Sequence, residues 1–269
     1  GPDRNYRLRA SFHVVAGRLG FMQEKSNIVV PIKECASLVP ELNEFIGSID
    51  PGNAREVHAI STPEVAYSIV LPNGTIQRSG LATIHVDGIQ YRVRPETFFQ
   101  ANRFLLGPFI QEVIEQAGPS PVHILELYSG VGFFSIPLSR TATELIGVEG
   151  NSATVRQGQE NARLNERWNL RLFEGPVDAT LRGADVKPDV VVLNPPRAGC
   201  GVQNAERIVA LAPQRIVYVS CNPTTFAREA AVITSKGYEL KLLTMVDQFP
   251  NTYHIETVAL FCPAGGGKP

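Results

Sequence analysis

Leu127-Tyr128-Ser129-Gly130-Val131-Gly132-Phe133-Phe134, entered from the apolar run Val122 to Leu127, is the stretch on which the fold turns. An apolar run that ends in a glycine-rich turn and opens into a helical pattern is the first strand, loop and helix of an open α/β sheet. Outward from it, apolar runs at Glu144 to Val148, Asn169 to Phe173, Val190 to Leu193 and Arg215 to Val219 alternate with helical patterns. Strands that alternate with helices pair in parallel, so these runs predict a doubly wound sheet. The last two runs, Leu240 to Val246 and Ile255 to Phe261, have no helix-length segment between them and are expected to form an antiparallel edge hairpin.

Upstream the rhythm differs. Tyr6, Leu8, Ala10, Phe12 and Val14 alternate with Arg7, Arg9, Ser11 and His13, the period of a half-buried strand with one basic face. Further short β-like runs are joined by Asn73-Gly74 and Asp87-Gly88, both signals for tight hairpins, and one helix is expected over Ser37 to Ser48. The chain therefore divides into a β-rich domain over 3–94, a sheet domain over 95–262, and a glycine-rich tail over 263–269 that is expected to be disordered. At 269 residues, two modest domains fit the length.

With 43% hydrophobic and 19% charged residues the composition excludes disorder and fibres. No apolar stretch reaches the roughly 18 residues of a membrane span, and charged residues stand where a signal peptide has its apolar run, so no membrane partner is expected. Gly1 and Pro2 resemble what remains after a tag is cleaved, and the chain is expected to be part of a longer one. Basic and acidic residues number 25 and 26, so a polyanion would need a local patch rather than a global field. Six of the basic residues are Lys and 19 are Arg, a bias that suits bidentate phosphate contacts and that a GC-rich genome also produces. Cys35, Cys200, Cys221 and Cys262 form no CxxC pair, which argues against zinc and disulfide frameworks and for a reduced, cytoplasmic chain.

Three loops carry candidate chemistry. In the first, Gly130 and Gly132 let backbone approach a ligand at the carboxyl end of the sheet, although a tight turn without a ligand uses the same residues. Ser135 stands where a dinucleotide fingerprint has its third glycine, which disfavours a nicotinamide enzyme. Glu149, ending the next strand, can accept hydrogen bonds from two ribose hydroxyls. In the second loop, Asn194-Pro195-Pro196-Arg197, the prolines fix the backbone and hold the Asn over the crevice; a merely rigid loop reads the same way. Amino-group methyltransferases use N-P-P followed by an aromatic, but here Arg197 follows, better suited to phosphate or carboxylate. In the third, Cys221 precedes Asn222-Pro223, a helix start whose dipole is expected to stabilise a thiolate. Glu256 opens the last strand, and a thiolate with a carboxylate in one pocket makes a nucleophile and a base.

A Rossmann-like sheet closed by an edge hairpin is also the layout of S-adenosylmethionine-dependent methyltransferases, by analogy of fold. ELYSGVGFFSIPL, GVEGN, NPPRAG, VSCNPTTFARE and DQFPNTYHIETVAL, with FFQAN at Phe98 to Asn102, resemble the RNA uracil-5-methyltransferases. The resemblance implies methyl transfer from S-adenosylmethionine to carbon 5 of a uridine, with Cys221 adding to carbon 6 and Glu256 removing the carbon-5 proton. It places the cofactor on Gln100, Tyr128, Gly130, Phe133, Glu149 and Asn194, and the substrate on Gln100, Asn194 and Arg197. It makes the β-rich part an RNA-contacting central domain, with Arg7 and Arg9 as further backbone holders. A base inside a duplex cannot be reached, so a flipped or unpaired uridine is implied, acted on by a monomer.

Three departures from the family pattern matter. Asn194 replaces the Asp of many members, as in a branch acting on large-subunit rRNA, which favours rRNA over tRNA. Phe133 replaces an Asn after the second glycine, so a contact there is expected through backbone or packing. A β-barrel domain and a cysteine cluster for a [4Fe-4S] centre are missing; Cys35 resembles a fourth ligand, which alone holds no cluster, so no metal is expected unless the chain is longer. Two other readings remain from the residues: an amino-group methyltransferase using the N-P-P loop, which leaves Cys221 and Glu256 without a role, and a non-catalytic RNA-binding or remodelling protein.

Overall fold

A computed structural model describes residues 1–183 and 187–265 and divides into two compact units, Gly1–Leu106 and Gly107–Pro269. The division falls further along the chain than 94, so Gln100 goes with the β-rich unit.

The first unit contains β1 (Arg9–Val15), β2 (Arg18–Met22), β3 (Val29–Pro31), α1 (Pro40–Ser48), β4 (Glu56–Thr62), β5 (Glu64–Val70) and β6 (Ile76–Arg78), in an antiparallel sheet ordered β3-β2-β1-β4-β5-β6. A separate hairpin pairs β7 (Ala82–Val86) with β8 (Ile89–Val93). Asp87 and Gly88 close it with positive φ at both positions and Val86 opposite Ile89, the two-residue turn whose twist suits a hairpin. In β1 the expected alternation buries Ala10 and Phe12 and leaves Arg9, Ser11 and His13 half-buried on the other face. The ladder starts at Arg9 rather than Tyr6, because Arg7 bridges Leu38 and Asn102 instead. Helix α1 starts at Pro40 rather than Ser37, since the residue before a proline is driven to extended backbone and Val39 has ψ 152°.

The second unit runs α2 (Leu106–Ala117), β9 (His123–Leu127), α3 (Ser135–Leu138), β10 (Glu144–Glu149), α4 (Ser152–Leu164), β11 (Leu170–Glu174), α5 (Val177–Gly183), β12 (Val190–Leu193), α6 (Val202–Ala210), β13 (Arg215–Ser220), α7 (Pro223–Ser235), β14 (Tyr238–Val246) and β15 (Glu256–Pro263). Its sheet is ordered β11-β10-β9-β12-β13-β15-β14. The first five strands are parallel, and β15 is antiparallel to both β13 and β14, so the expected edge hairpin is present. All four residues of β12 are buried, as a strand covered on both faces requires; each such Val or Leu contributes about 2 kcal/mol by leaving water.

From β9 the chain builds outward through β10 and β11, then returns to lay β12 and β13 on the other side. The carboxyl ends of β9 and β12 therefore flank the crevice where open α/β sheets bind ligands. The expected tail is shorter at its start: Pro263 pairs with Tyr238 inside β15, and the Ala264 amide donates to Gly237 O at 2.7 Å. These contacts hold the chain to the sheet edge through Ala264; residues 266–269 of that tail lie outside the described residues. Among the described residues no helix is long and apolar enough to cross a membrane.

Candidate active site

The β9–α3 loop is shaped for close backbone approach. Tyr128, Gly130 and Gly132 all have positive φ, at 62°, 55° and 89°. For Tyr128 that conformation is costly, and the adjoining structure fixes it: the Ser129 amide donates to Val148 O and the Gly132 amide to Ser129 O. Two further glycines let the neighbouring elements press inward. A Cβ on Gly147 would lie 2.4 Å from Leu172 and 3.1 Å from Ser129, and one on Gly158 would lie 2.7 Å from Leu172 and 3.2 Å from Gly130 O.

Glu149 ends β10 beside this loop. Its Oε2 accepts from the Gly130 amide at 3.2 Å and its Oε1 from the Asn151 amide at 2.9 Å. An ionised carboxylate offers about four acceptor positions, so two remain for a diol. The positive-φ loop, the backbone approach and the half-used carboxylate fit a nucleoside-bearing cofactor such as S-adenosylmethionine. Tyr128 lies against the hydrophobic core, and burial, then Cys200 and Glu229, push its hydroxyl up to about 12, so the phenol stays protonated. Phe133 is buried against Phe134, with ring centroids 4.8 Å apart, and against Phe109 at 6.4 Å, so its ring is packed into the interior of the unit.

Glu126, the penultimate residue of β9, is hydrogen-bonded by the Ser135 hydroxyl. Burial is the main cause that raises its carboxyl to about 8, with Glu149 pushing the same way. Sequence reading passed over this residue, although an acid inside an apolar parallel-strand run was itself a signal.

The chemistry at the other end of the crevice is set by strand register. Residues pair across β13 and β15 from Ile216 opposite Phe261 to Ser220 opposite Thr257. Continuing that ladder by one residue places Cys221 opposite Glu256, although they are far apart in sequence. Cys221 is half-buried, and Asn222 caps α7 by accepting from the Thr224 amide at 3.1 Å. The thiol is nevertheless raised rather than lowered: burial dominates, the Glu256 carboxylate adds to it, and Arg197 opposes both. The expected dipole effect is outweighed because the thiol is partly buried and faces a negative charge. Glu256 is itself lifted to about 7 by burial, against the pull of Arg197.

Asn194 leaves β12 at the crevice, its amide donating to Leu127 O at 3.3 Å. Pro195 and Pro196 follow, and the Arg197 carbonyl accepts from Asn222 Nδ2 at 3.0 Å and Thr225 Oγ1 at 3.3 Å. The second unit thus gathers Tyr128, Gly130, Phe133, Glu149, Asn194, Arg197, Cys221 and Glu256 at the carboxyl ends of its strands. Gln100 belongs to the first unit, where it is buried next to Phe99 and Ala101. In that unit Arg7 Nε donates to Arg9 O, and the Arg9 guanidinium sits 5.9 Å from the Phe98 ring centroid, lowered to about 10 by burial and then by Arg7. Cys35 is half-buried and bonded through its backbone to Asn43. Among the described residues no three His, Cys, Asp or Glu side chains gather to hold a metal.

Comparison with known proteins agrees with this geometry. The family described as tRNA (uracil-5-)-methyltransferase matches residues 68–175 and 178–262. An uncharacterized RNA methyltransferase of Aquifex aeolicus is 33% identical over 95% of this chain and 70% of its own length. The 23S rRNA (uracil(1939)-C(5))-methyltransferase RlmD of Photorhabdus laumondii is 30% identical over 97% of this chain and 70% of its own. Among solved structures, the Pyrococcus abyssi tRNA (uracil-54, C5)-methyltransferase in complex with S-adenosyl-L-homocysteine superposes with a TM-score of 0.79 at 25% identity, over 97% of this chain and 76% of that one. The matches span both the crevice at Glu149 and the Cys221–Glu256 register pair, and on them the chain belongs to the tRNA (uracil-5-)-methyltransferase family of S-adenosylmethionine-dependent RNA methyltransferases.

Proposed function

We propose that this chain methylates carbon 5 of a uridine in large-subunit ribosomal RNA through a covalent adduct between Cys221 and carbon 6. The observation that carries the reading is the continuation of the β13–β15 ladder, which sets Cys221 against Glu256 with Arg197 acting electrostatically on both. Carbon 5 of uracil is a weak nucleophile. Adding the thiolate to carbon 6 forms a C–S bond and shifts the electron pair of the ring double bond toward carbon 5 and the carbon-4 oxygen. The β9–α3 loop and Glu149 would hold S-adenosylmethionine, whose sulfonium methyl carbon 5 would take, the C5–CH3 bond forming as the S–CH3 bond breaks and S-adenosylhomocysteine leaves. Glu256 then takes the proton from carbon 5, the ring double bond re-forms, and the C–S bond breaks to return the thiolate. With its carboxyl near 7, Glu256 is a base matched to neutral pH.

Asn194 at the crevice can hydrogen-bond the imide edge of uracil, and Arg197 can hold an adjacent phosphate. A flipped or unpaired uridine is required for the thiol to reach carbon 6. The RlmD relative and Asn194 favour ribosomal RNA over tRNA. The decisive experiment mixes the protein and S-adenosylmethionine with 5-fluorouridine-substituted rRNA and tRNA fragments, followed by denaturing intact-mass analysis. Fluorine cannot leave as a proton, so a methylated protein–RNA adduct is expected with the rRNA fragment and is expected to be absent in Cys221→Ala. Methylation of unsubstituted RNA by Cys221→Ala would overturn the covalent route.

A further inference from the structure

Glu229, in α7, has no part in the chemistry above, yet its carboxylate is wholly buried. Burying a carboxylate costs several kcal/mol unless donors surround it, and an apolar side chain of similar size would pack the helix as well. Here the donors come from both the loop and the elements around it. The amides of Cys200 and Gly201 donate to Glu229 at 3.0 Å each, the Cys200 thiol donates at 3.2 Å, Tyr218 of β13 at 2.5 Å, and Arg228 at 3.0 Å. Burial pushes this carboxyl up, but bonds from Tyr218, Cys200, Arg228 and Gly201 outweigh it and hold the group below the usual carboxylate range. The loop is cut to fit: Gly199 has φ +81°, and a Cβ there would stand 2.2 Å from Glu229 Oε1.

These contacts clamp one end of the segment that carries Arg197. Its other side is tied to the start of α7, where Asn222 and Thr225 donate to the Arg197 carbonyl, and Pro195 and Pro196 stiffen the approach from β12. Cys221 immediately precedes this same helix. A single helix therefore grips, through its first turn and through Glu229, the loop whose guanidinium acts on the thiol and the base.

We propose that Glu229 is a positioning residue that registers the Arg197 loop against the nucleophile's helix and so fixes Arg197 relative to Cys221 and Glu256. Only an acceptor serves here, because a neutral amide would turn a donor of its own toward the amides of Cys200 and Gly201. The inference rests on reading Cys221 as the nucleophile, and its test separates the two. Alkylation of Cys221 by iodoacetamide is followed by mass spectrometry across pH 6 to 10 in the wild type, Arg197→Ala, Glu229→Gln and the double variant.

Glu229→Gln is expected to shift the alkylation profile toward higher pH, as Arg197→Ala does, and the double variant to shift no further than Arg197→Ala alone. In methylation assays Glu229→Gln is expected to lower kcat about tenfold or more while S-adenosylmethionine binding persists. If Glu229→Gln fails to fold, Gly199→Ala, which keeps Glu229 but forces the loop and the carboxylate apart, is expected to give the same shift. An unmoved profile in a folded variant, or a shift that adds in full to that of Arg197→Ala, overturns the positioning role. Methylation by Cys221→Ala would instead overturn the nucleophile assignment, whatever the Glu229 variants do.

Discussion

At the scale of single residues, two charged groups, Glu256 and Arg197, act in opposite directions on the Cys221 thiol. The Cys221 thiol sits above its ordinary range chiefly through burial and then through Glu256, and Arg197 partly offsets both. Removing the carboxylate in Glu256→Gln lowers the thiol's pKa, so iodoacetamide is expected to alkylate Cys221 faster than in wild type at pH 8; Arg197→Ala is expected to slow it. Catalysis responds differently. Cys221→Ala is expected to reduce methylation at least about a thousand-fold, as loss of a covalent nucleophile does. Glu256→Gln is expected to let adduct form but to slow its release by about a hundred- to ten-thousand-fold, which a time course of denatured protein–RNA adduct on unsubstituted RNA would show. With its carboxyl raised to about 7, the proposed role of Glu256 as the base predicts that release in the wild type rises about tenfold per pH unit below 7 and levels above it. These roles are visible in the sequence only as Cys-Asn-Pro and His-Ile-Glu. What no local pattern gave was the direction of the thiol's shift, since the helix start promised a lowered value and the neighbouring carboxylate lies across the sheet.

Among elements, the critical fit is α4 and β10 against the β9–α3 loop. Gly158 lets the helix approach within van der Waals reach of Gly130 O, and Leu172 fills the space beside it. Gly158→Val is expected to destabilise the protein by about 1–3 kcal/mol, the usual cost of overpacking, and to weaken S-adenosylmethionine binding because the loop is pushed outward. Urea melts and calorimetric titration of the cofactor would measure the two effects together; unchanged affinity in a destabilised variant would detach the loop from this packing. At the other site, Asn222 both caps α7 and holds the Arg197 carbonyl. Asn222→Ala is expected to cost about 1 kcal/mol of stability as a lost cap. The elements themselves were legible because the strands and helices carry their periods openly. The starts of β1 and α1 were not, since Arg7 is claimed by Leu38 and Asn102, partners distant in sequence, and Pro40 moves the helix start.

For the whole molecule, the buried acids set how stability follows pH. Glu126 is raised to about 8 and Glu256 to about 7, both mainly by burial, so between the ordinary carboxyl range and those values the folded chain holds protons that the unfolded chain has released. Stability is therefore expected to fall as pH rises from about 4.5 toward 8 and to flatten above it, with a slope from Glu126 of at most about 1.4 kcal/mol per pH unit. Glu126→Gln keeps a neutral, hydrogen-bonding group beside Ser135 and is expected to remove most of that slope. Urea midpoints at pH 5, 7 and 9 check it; an unchanged slope would assign the proton uptake elsewhere.

The sequence by itself determined the fold class, the order of strands and helices, the three loops at the carboxyl edge, and the residue types that fit the family, because each is written in local periodicity and in short contiguous motifs. Tertiary structure alone decided which of those residues meet. Antiparallel register brings Cys221 and Glu256 opposite one another, and the buried carboxylates Glu126 and Glu229 acquire their properties from surroundings assembled from distant segments. Charge states depend on burial and on neighbours across strands, and neither is encoded within reach of a single turn of chain.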